Sequence, residues 1–480
     1  MTILGLPINL YLEKYKYKYL AFYHAIRDGI FNGTIPSGTR LPSSRELAEQ
    51  YSLSRGSANL VYEMLLADGY IQTKIGSGTF VSSNTINQER QNKEIHFQLS
   101  SWGKRLKKDP HQTETSFPIK FNFSIQRPLT EQFPVEAWKR AVNQGLRDIN
   151  YLTEFTYQDP KGLLELREGI ANHLATTRAM DTKAEEIVIL NGSVNGMAIA
   201  AQLLVSEHDE VLVEDPSYIR VRNIIETVGG RPVAFSIEDD IDTLSNSKSK
   251  LAYVTPSSQY PTGRVMTLEE RLSLLNWAED NNALIIEDDI ESLFSLKQRS
   301  LEPLKVLDSH NRVIYFGTFA FTLLTSLRIG YAVVPSYLMD DFMKAKYVFQ
   351  PFTVSLFEQA AISQFIKNGS YAKHIRKMRR TYRQKYELIM KLMNTDLKGA
   401  FRWSEGDTGM HIFGWWNGSV EKYRLFQELC EKDGIVWEDP TPYFFNTPDP
   451  CAVFYYSDFS DEELVNAINM MGNILSSMKI

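Results

Sequence analysis

Apolar positions in residues 9–82 recur at short helical spacings. Leu47 and Ala48 face inward behind a cap at Ser43 or Ser44, with Glu46 in the first turn, which predicts a short helix. After a break at Ser52-Leu53, Ser54 is a second cap. A helix from about Arg55 to Ala67 follows, its inward positions Ala58, Val61, Tyr62 and Leu65 at helical spacing, until Asp68-Gly69 stops it. Two short strands, Tyr70–Thr73 and Thr79–Val81, flank the turn Ile75-Gly76-Ser77-Gly78.

The texture changes twice after that. Residues 83–120 are rich in Ser, Gln, Asn and Lys and hold no sustained periodicity, which predicts a linker with a short amphipathic element around Phe97–Leu106. From residue 121 to 480, apolar runs alternate with longer helical stretches: EIVIL, EVLVED, LAYVTP, ALIIEDD, RVIYFG and GYAVVP. Strands that alternate with helices predict an α/β fold around a parallel or mixed sheet. No internal repeat is visible.

Composition narrows the class. At 480 residues and 43% apolar content, the chain has material for two or three domains. No run approaches the roughly 18 uncharged apolar residues of a membrane span, and the first residues do not form a secretory signal, so a cytoplasmic protein is expected. Cys430 and Cys451 make neither a disulfide framework nor a metal motif. The net charge of −6 is unevenly spread: residues 1–120 carry 15 Lys+Arg against 10 Asp+Glu, and the remainder 37 against 48. A basic head on an acidic body is compatible with nucleic-acid binding by the head alone.

Two helices across a tight turn, followed by a hairpin, are the anatomy of a winged helix-turn-helix. Its chemistry agrees. Arg55, Ser57 and Asn59 open the second helix, the end that enters a major groove. Arg45 on the first helix is placed for a phosphate, and the wing glycines allow close backbone approach. The run PSGTRLPSSRELAEQYSLSRGSANLVYEMLLADGY resembles the signature of GntR-family repressors. That resemblance implies that Arg45, Arg55, Ser57, Asn59 and the wing tip Gly76 lie at the surface of double-stranded operator DNA. Gly56 departs from the family, which more often has a polar residue there.

Residues 121–480 resemble fold-type I, pyridoxal-phosphate-dependent aminotransferases, with a smaller C-terminal α+β part. The segments that carry the match are YQDPKGLLELREGIANHL, VILNGSVNGM, EDPSYIRVR, TPSSQYPTG, IIEDD and GTFAFTLLTSLRIGY. A GntR head on such a body is the MocR/GabR type of regulator. The resemblance implies a homodimer and a cofactor pocket. Gly192 and Ser193 would form a phosphate cup at a helix start, with Thr318 and Arg328 as hydroxyl and cation. Tyr157 would reach the neighbouring protomer's phosphate, and Tyr218 would stack on the pyridine. Asp288 would hold the pyridine nitrogen protonated, and Arg220 would contact an effector carboxylate. Plainer roles stand beside these: Asp288 as a cap or ion-pair partner, Tyr218 as packing, Arg328 in an internal ion pair.

The resemblance breaks at its chemical centre. Where the family has Gly-Thr-Phe-Ser-Lys-Thr-Leu, this chain reads Gly317-Thr318-Phe319-Ala320-Phe321-Thr322-Leu323, so Phe321 takes the place of the Schiff-base lysine. Phenylalanine neither forms an imine nor carries a proton, and Lys305, Lys344 and Lys346 are not placed to substitute. Ile290 replaces a tyrosine, Ser258 replaces a histidine, and no arginine follows Arg424 to clamp a substrate carboxylate. The expected function is an effector-responsive DNA-binding regulator without turnover, its pocket holding a small molecule. Pyridoxal 5'-phosphate or pyridoxamine phosphate, if bound, would be non-covalent. The alternatives are an active aminotransferase with an accessory DNA-binding domain, and a constitutive regulator whose body only dimerises.

Overall fold

A computed structural model describes residues 6–82, 98–107, 117–149, 159–236, 247–290, 292–296 and 301–478. The chain divides into two compact units, Met1–Gln98 and Leu99–Ile480.

The first unit packs helices α1 (Ile8–Lys14), α2 (Lys18–Phe31), α3 (Ser44–Gln50) and α4 (Arg55–Ala67) against a hairpin of β1 (Ile71–Lys74) and β2 (Gly78–Val81). Ser43 caps α3 in a capping box: its Oγ accepts from the Glu46 N–H, and the Glu46 carboxylate accepts from the Ser43 N–H. Ser54 caps α4, accepting from the Ser57 N–H at 3.0 Å. Leu47, Ala58, Val61 and Leu65 are buried in one core with Phe22 and Ile26 of α2. The Tyr62 hydroxyl donates to the Pro42 carbonyl, and the Tyr23 hydroxyl to the Asp68 carboxylate. These two bonds tie the middle of α4 and its C-terminal cap to the rest of the unit. Ile71 pairs with Val81 and Lys74 with Gly78, so the strands run one residue further toward the turn than the sequence suggests.

The second unit is built on a seven-stranded sheet in the order β4-β10-β9-β8-β7-β5-β6. Six of its strands are the apolar runs named above: β4 (Ile187–Leu190), β5 (Glu210–Glu214), β7 (Leu251–Val254), β8 (Leu284–Asp288), β9 (Val313–Thr318) and β10 (Gly330–Val333). The strands β6, β5, β7, β8 and β9 are parallel, whereas β10 runs antiparallel to both its neighbours. The seventh strand, β6 (Arg231–Phe235), was not legible because it is an edge strand opened by Arg231-Pro232 and only half-buried. A C-terminal layer pairs β11 (Phe401–Trp403), β12 (His411–Trp416) and β14 (Cys451–Tyr455). Beside it β13 (Ile435–Trp437) runs parallel to β3 (Phe121–Phe123). Within the stretch expected to be linker, Ser101–Arg105 is a helix that rests on the body: Arg105 Nε donates to the Thr227 carbonyl, and Lys107 pairs with Glu226. Among the described residues no helix is long and apolar enough to cross a membrane.

Two buried carboxylates at strand ends make the body's stability depend on pH. Glu214 accepts from the Thr255 N–H and hydroxyl, and Glu287 from the N–H groups of Leu304 and Lys305. Burial nevertheless pushes each up to about 7. The folded state therefore holds protons that the unfolded chain has released. Their contribution is full below the ordinary carboxylate range and is lost as pH rises through about 7. The melting temperature of the body should fall between about pH 5 and pH 7.5, and Glu214→Gln should flatten that slope in a thermal melt across buffers.

Candidate functional site

The C-terminal ends of the body's strands open into a cavity of about 1180 Å³. One part of it is a cradle of donors. Helix α5 (Ser193–Leu204) leaves β4 through Gly192, whose φ of +80° suits a residue without Cβ. No side chain caps this helix, so its first N–H groups and positive dipole end stay available. Gly330 lets β10 pass directly beneath, since a Cβ there would sit 2.6 Å from the Ser193 nitrogen. Ser193 and Thr318 line the cradle, and the Thr318 hydroxyl donates to the Ile329 carbonyl at 3.4 Å and accepts from the Ala320 N–H at 3.1 Å. Arg328, exposed at the cavity, holds a left-handed φ of +51°. It makes no hydrogen bond or ion pair among the described residues, so the internal ion pair considered for it is not found there. A non-glycine residue held at positive φ is the kind of local strain that clusters at binding sites.

The opposite wall carries a carboxylate and rings. Asp288, at the end of β8, is buried and its Oδ2 accepts from the Tyr253 hydroxyl at 2.9 Å. Burial and that carboxylate hold the Tyr253 phenol well above its ordinary range, so it remains the donor. The adjacent Asp289 has a structural task, pairing with Arg178 at 2.9 Å and accepting from Tyr315. Tyr218 packs edge-on against Tyr260, with ring centroids 5.6 Å apart. The structure thus brings Gly192, Ser193, Tyr218, Arg220, Asp288, Thr318 and Arg328 to one cavity, together with Phe321, Ile290 and Ser258. Tyr157 lies outside the described residues. No lysine lines the cavity among the described residues. Lys305 donates to the Val313 carbonyl, Lys344 pairs with Asp341, and Lys346 donates to the carbonyls of Gln350 and Phe352.

One cluster escaped the sequence reading. Tyr260 donates to Tyr443 at 3.1 Å, Tyr443 donates to Glu438 at 2.7 Å, and Tyr260 and Tyr455 share a bond of 2.5 Å. These residues, Tyr260 far in the chain from the other three, all line the cavity, and no local motif announces them.

In the first unit, Arg45, Arg55, Asn59 and Gly76 are exposed. Ser57 is half-buried, and its hydroxyl accepts from Ser54, which leaves it one proton to donate. The wing adds a cation that the sequence did not single out. Arg40 bridges to Phe80, and its guanidinium lies where a Cβ on Gly78 would come within 3.0 Å of it.

The gntR family of bacterial regulatory proteins matches residues 18–81, and the aminotransferase class I and II family matches residues 118–448. The chain is 30% identical to the probable rhizopine catabolism regulatory protein MocR of Rhizobium meliloti, over 94% of this chain and 92% of that one. It is a MocR-type regulator of the GntR family, with an aminotransferase class I and II body. The HTH-type transcriptional regulator NorG of Staphylococcus aureus is 25% identical over 83% of this MocR-type chain and 91% of its own. Among solved structures, an archaeal alanine:glyoxylate aminotransferase superposes with a TM-score of 0.70 at 22% identity, covering 80% of this chain and 98% of the enzyme. A Pyrococcus horikoshii kynurenine aminotransferase solved with PMP gives 0.68 at 19% identity, covering 76% and 92%. These likenesses establish the body's fold. This MocR-type regulator is accordingly a DNA-binding transcription regulator with an aminotransferase-like domain.

A phosphorylated pyridoxal-type group fits the donor set of this regulator. Helix N–H groups, two hydroxyls and an arginine without an ion pair among the described residues suit a phosphate dianion. A buried carboxylate suits a pyridinium nitrogen, and Tyr218 supplies a ring wall. The same wall offers no amine for a covalent link among the described residues.

Proposed function

We propose that the aminotransferase-like body is a ligand sensor that binds without turnover and biases the DNA affinity of the head. The observation that carries this reading is a cavity lined by Gly192, Ser193, Tyr218, Asp288, Thr318, Arg328 and Phe321 and, among the described residues, by no lysine. Phe321 is half-buried and packs against the core cluster that holds Phe319 and Tyr371. Gly192, Ser193, Thr318 and Arg328 would hold a vitamer phosphate, Tyr218 its ring and Asp288 its ring nitrogen. When bound in an aminotransferase, such a group supplies an electron sink for amino-acid chemistry. Among the described residues no lysine lines the cavity to carry the proton that such chemistry needs, so the residues there bind and orient only. Sensing requires a ligand to favour one of two states by about 1–3 kcal/mol, and no covalent bond.

Pyridoxamine phosphate should raise the melting temperature of the full chain, with no transamination of any amino acid above buffer. Arg328→Ala should weaken that binding about 10–100-fold, the range of one charge-assisted hydrogen-bonded contact. Calorimetric titration measures both. No shift with any phosphorylated vitamer would favour the reading in which the body only dimerises. Exposed apolar residues close together in the chain, Tyr347, Val348, Phe349, Phe352 and Phe357, support a homodimer in either case, since clustered apolar exposure marks interaction surfaces.

A further inference from the structure

The helix Ser101–Arg105 rests on an element that also forms part of the cavity. That element is helix α6 (Ile219–Val228), which follows Tyr218 directly. Arg220 and Ile224, one helical turn apart, line the cavity, while Val221 and Ile225 are buried in the core. The start of α6 is tied to Tyr443, which lines the same cavity. Arg222 donates to the Tyr443 carbonyl at 3.0 Å and lies over the Phe445 ring at 4.3 Å, and the Ser217 N–H donates to the same carbonyl. The other end of α6 holds the linker. Arg105 donates to the Thr227 carbonyl at 3.0 Å and pairs with Glu207 at 3.2 Å, and Lys107 pairs with Glu226. A helix C-terminus carries partial negative charge and favours cations. The last turn of α6 has no basic residue of its own and holds Glu226, so the two linker cations supply what that turn lacks.

This docking is of a strength that a ligand can shift. No residue of Ser101–Arg105 is buried, and Leu99, Trp102 and Leu106 stay exposed, so the ion pairs and the carbonyl bond carry most of it. A surface ion pair changes an equilibrium by about fivefold at most. Helix α6 is short and stiff, and a displacement at Arg220 reaches Thr227 about 10 Å along its axis. The chain itself returns to the cavity soon afterwards: Phe117 and Ile119, ten and twelve positions beyond Lys107, line it as well. With the helix docked, the chain leaves the body for the head at Ser100. With the helix released it leaves at Phe117, which adds on the order of 60 Å of reach at full extension.

We propose that Arg105 and Lys107 are the coupling residues of this regulator. A ligand in the cavity shifts α6, and through these two cations it shifts the docking of Ser101–Arg105, which sets the reach of the head. The proposal rests on the sensor reading and names the residues through which sensing acts. In a dimer, reach fixes the effective concentration of the second head at its half-site. The experiment titrates the full chain against an operator selected from random duplexes, with and without saturating pyridoxamine phosphate. In the wild type the vitamer should change operator affinity about 5–150-fold. Arg105→Gln combined with Lys107→Gln should bind pyridoxamine phosphate as the wild type does, since neither residue lines the cavity. Its change in operator affinity should shrink to within about twofold. Lys107→Glu alone should also reduce the change, and Lys107→Glu with Glu226→Lys should restore it, which a merely structural role would not predict. Hydrogen exchange gives a second readout: the amides of residues 101–107 should exchange faster in the double Gln variant, and in the wild type their rates should change when the vitamer binds. A double Gln variant with the full change in operator affinity would overturn the proposal and leave the sensor standing. So would a charge exchange that restores nothing, or wild-type exchange rates at 101–107 that ignore the vitamer. Pyridoxamine phosphate that fails to bind the wild type, or binds without altering its operator affinity, would sink both.

Discussion

Replacing Arg178 with methionine should cost the body about 3–5 kcal/mol, the largest stability loss expected of any single change at the site. Arg178 and Asp289 are 2.9 Å apart with side chains only 3% and 1% exposed, while Tyr315 donates to Asp289 and Arg178 donates to Ser257. Removing the guanidinium strands a carboxylate beside Glu287, in an interior where neither has water. The loss should appear as a lower urea midpoint by tryptophan fluorescence. Arg178→Met combined with Asp289→Leu should recover most of it, because apolar replacement of a whole buried pair is close to neutral. The change also reaches function. Asp289 follows Asp288 directly, so a displaced end of β8 moves the carboxylate assigned to the pyridine nitrogen. Pyridoxamine phosphate affinity should fall in the single variant, and an unaltered urea midpoint would contradict the structural task given to the pair.

Arg55→Ala should leave stability unchanged and lower operator affinity by about 1–3 kcal/mol, while relaxing preference at one base pair. Arg55 is the first residue of α4 and is exposed, so its removal disturbs neither the Ser54 cap nor the core. Arg45→Ala should act differently, weakening all sequences alike and reducing the slope of log affinity against log salt by about one. Selection of an operator from random duplexes, followed by titration at several salt concentrations, tells the two apart. Equal loss of affinity for operator and random DNA in Arg55→Ala would contradict a base-reading role.

The head was legible because its signals are local. Caps at Ser43 and Ser54 and the stop at Asp68-Gly69 act within a turn of the helices that they bound, so α4 falls at the expected residues. The central strands were legible because strands buried on both faces show as unbroken apolar runs. The strand β6 has one face half-open and so lacked that run. The cradle was visible only through resemblance, since Gly-Ser begins many helices. Neither resemblance nor pattern disclosed the Glu438 network: Tyr260 joins Glu438, Tyr443 and Tyr455 across more than 170 positions, through tertiary packing alone. Arg40 was overlooked for a related reason, lying in an isolated bridge to the wing and in no helix.

The place of β4 in the sheet sets an order of events during synthesis. Among the described residues it pairs with β10 alone, Leu190 opposite Gly330, about 140 positions later. Gly192 and Ser193 are therefore translated long before the strand that holds them in place. A chain arrested just after Thr318 would contain the hydroxyl-bearing residues of the cradle and still have no cradle. Closing so long a loop is entropically costly and slow, so this part of the pocket matures only after residue 333 has emerged and turned back.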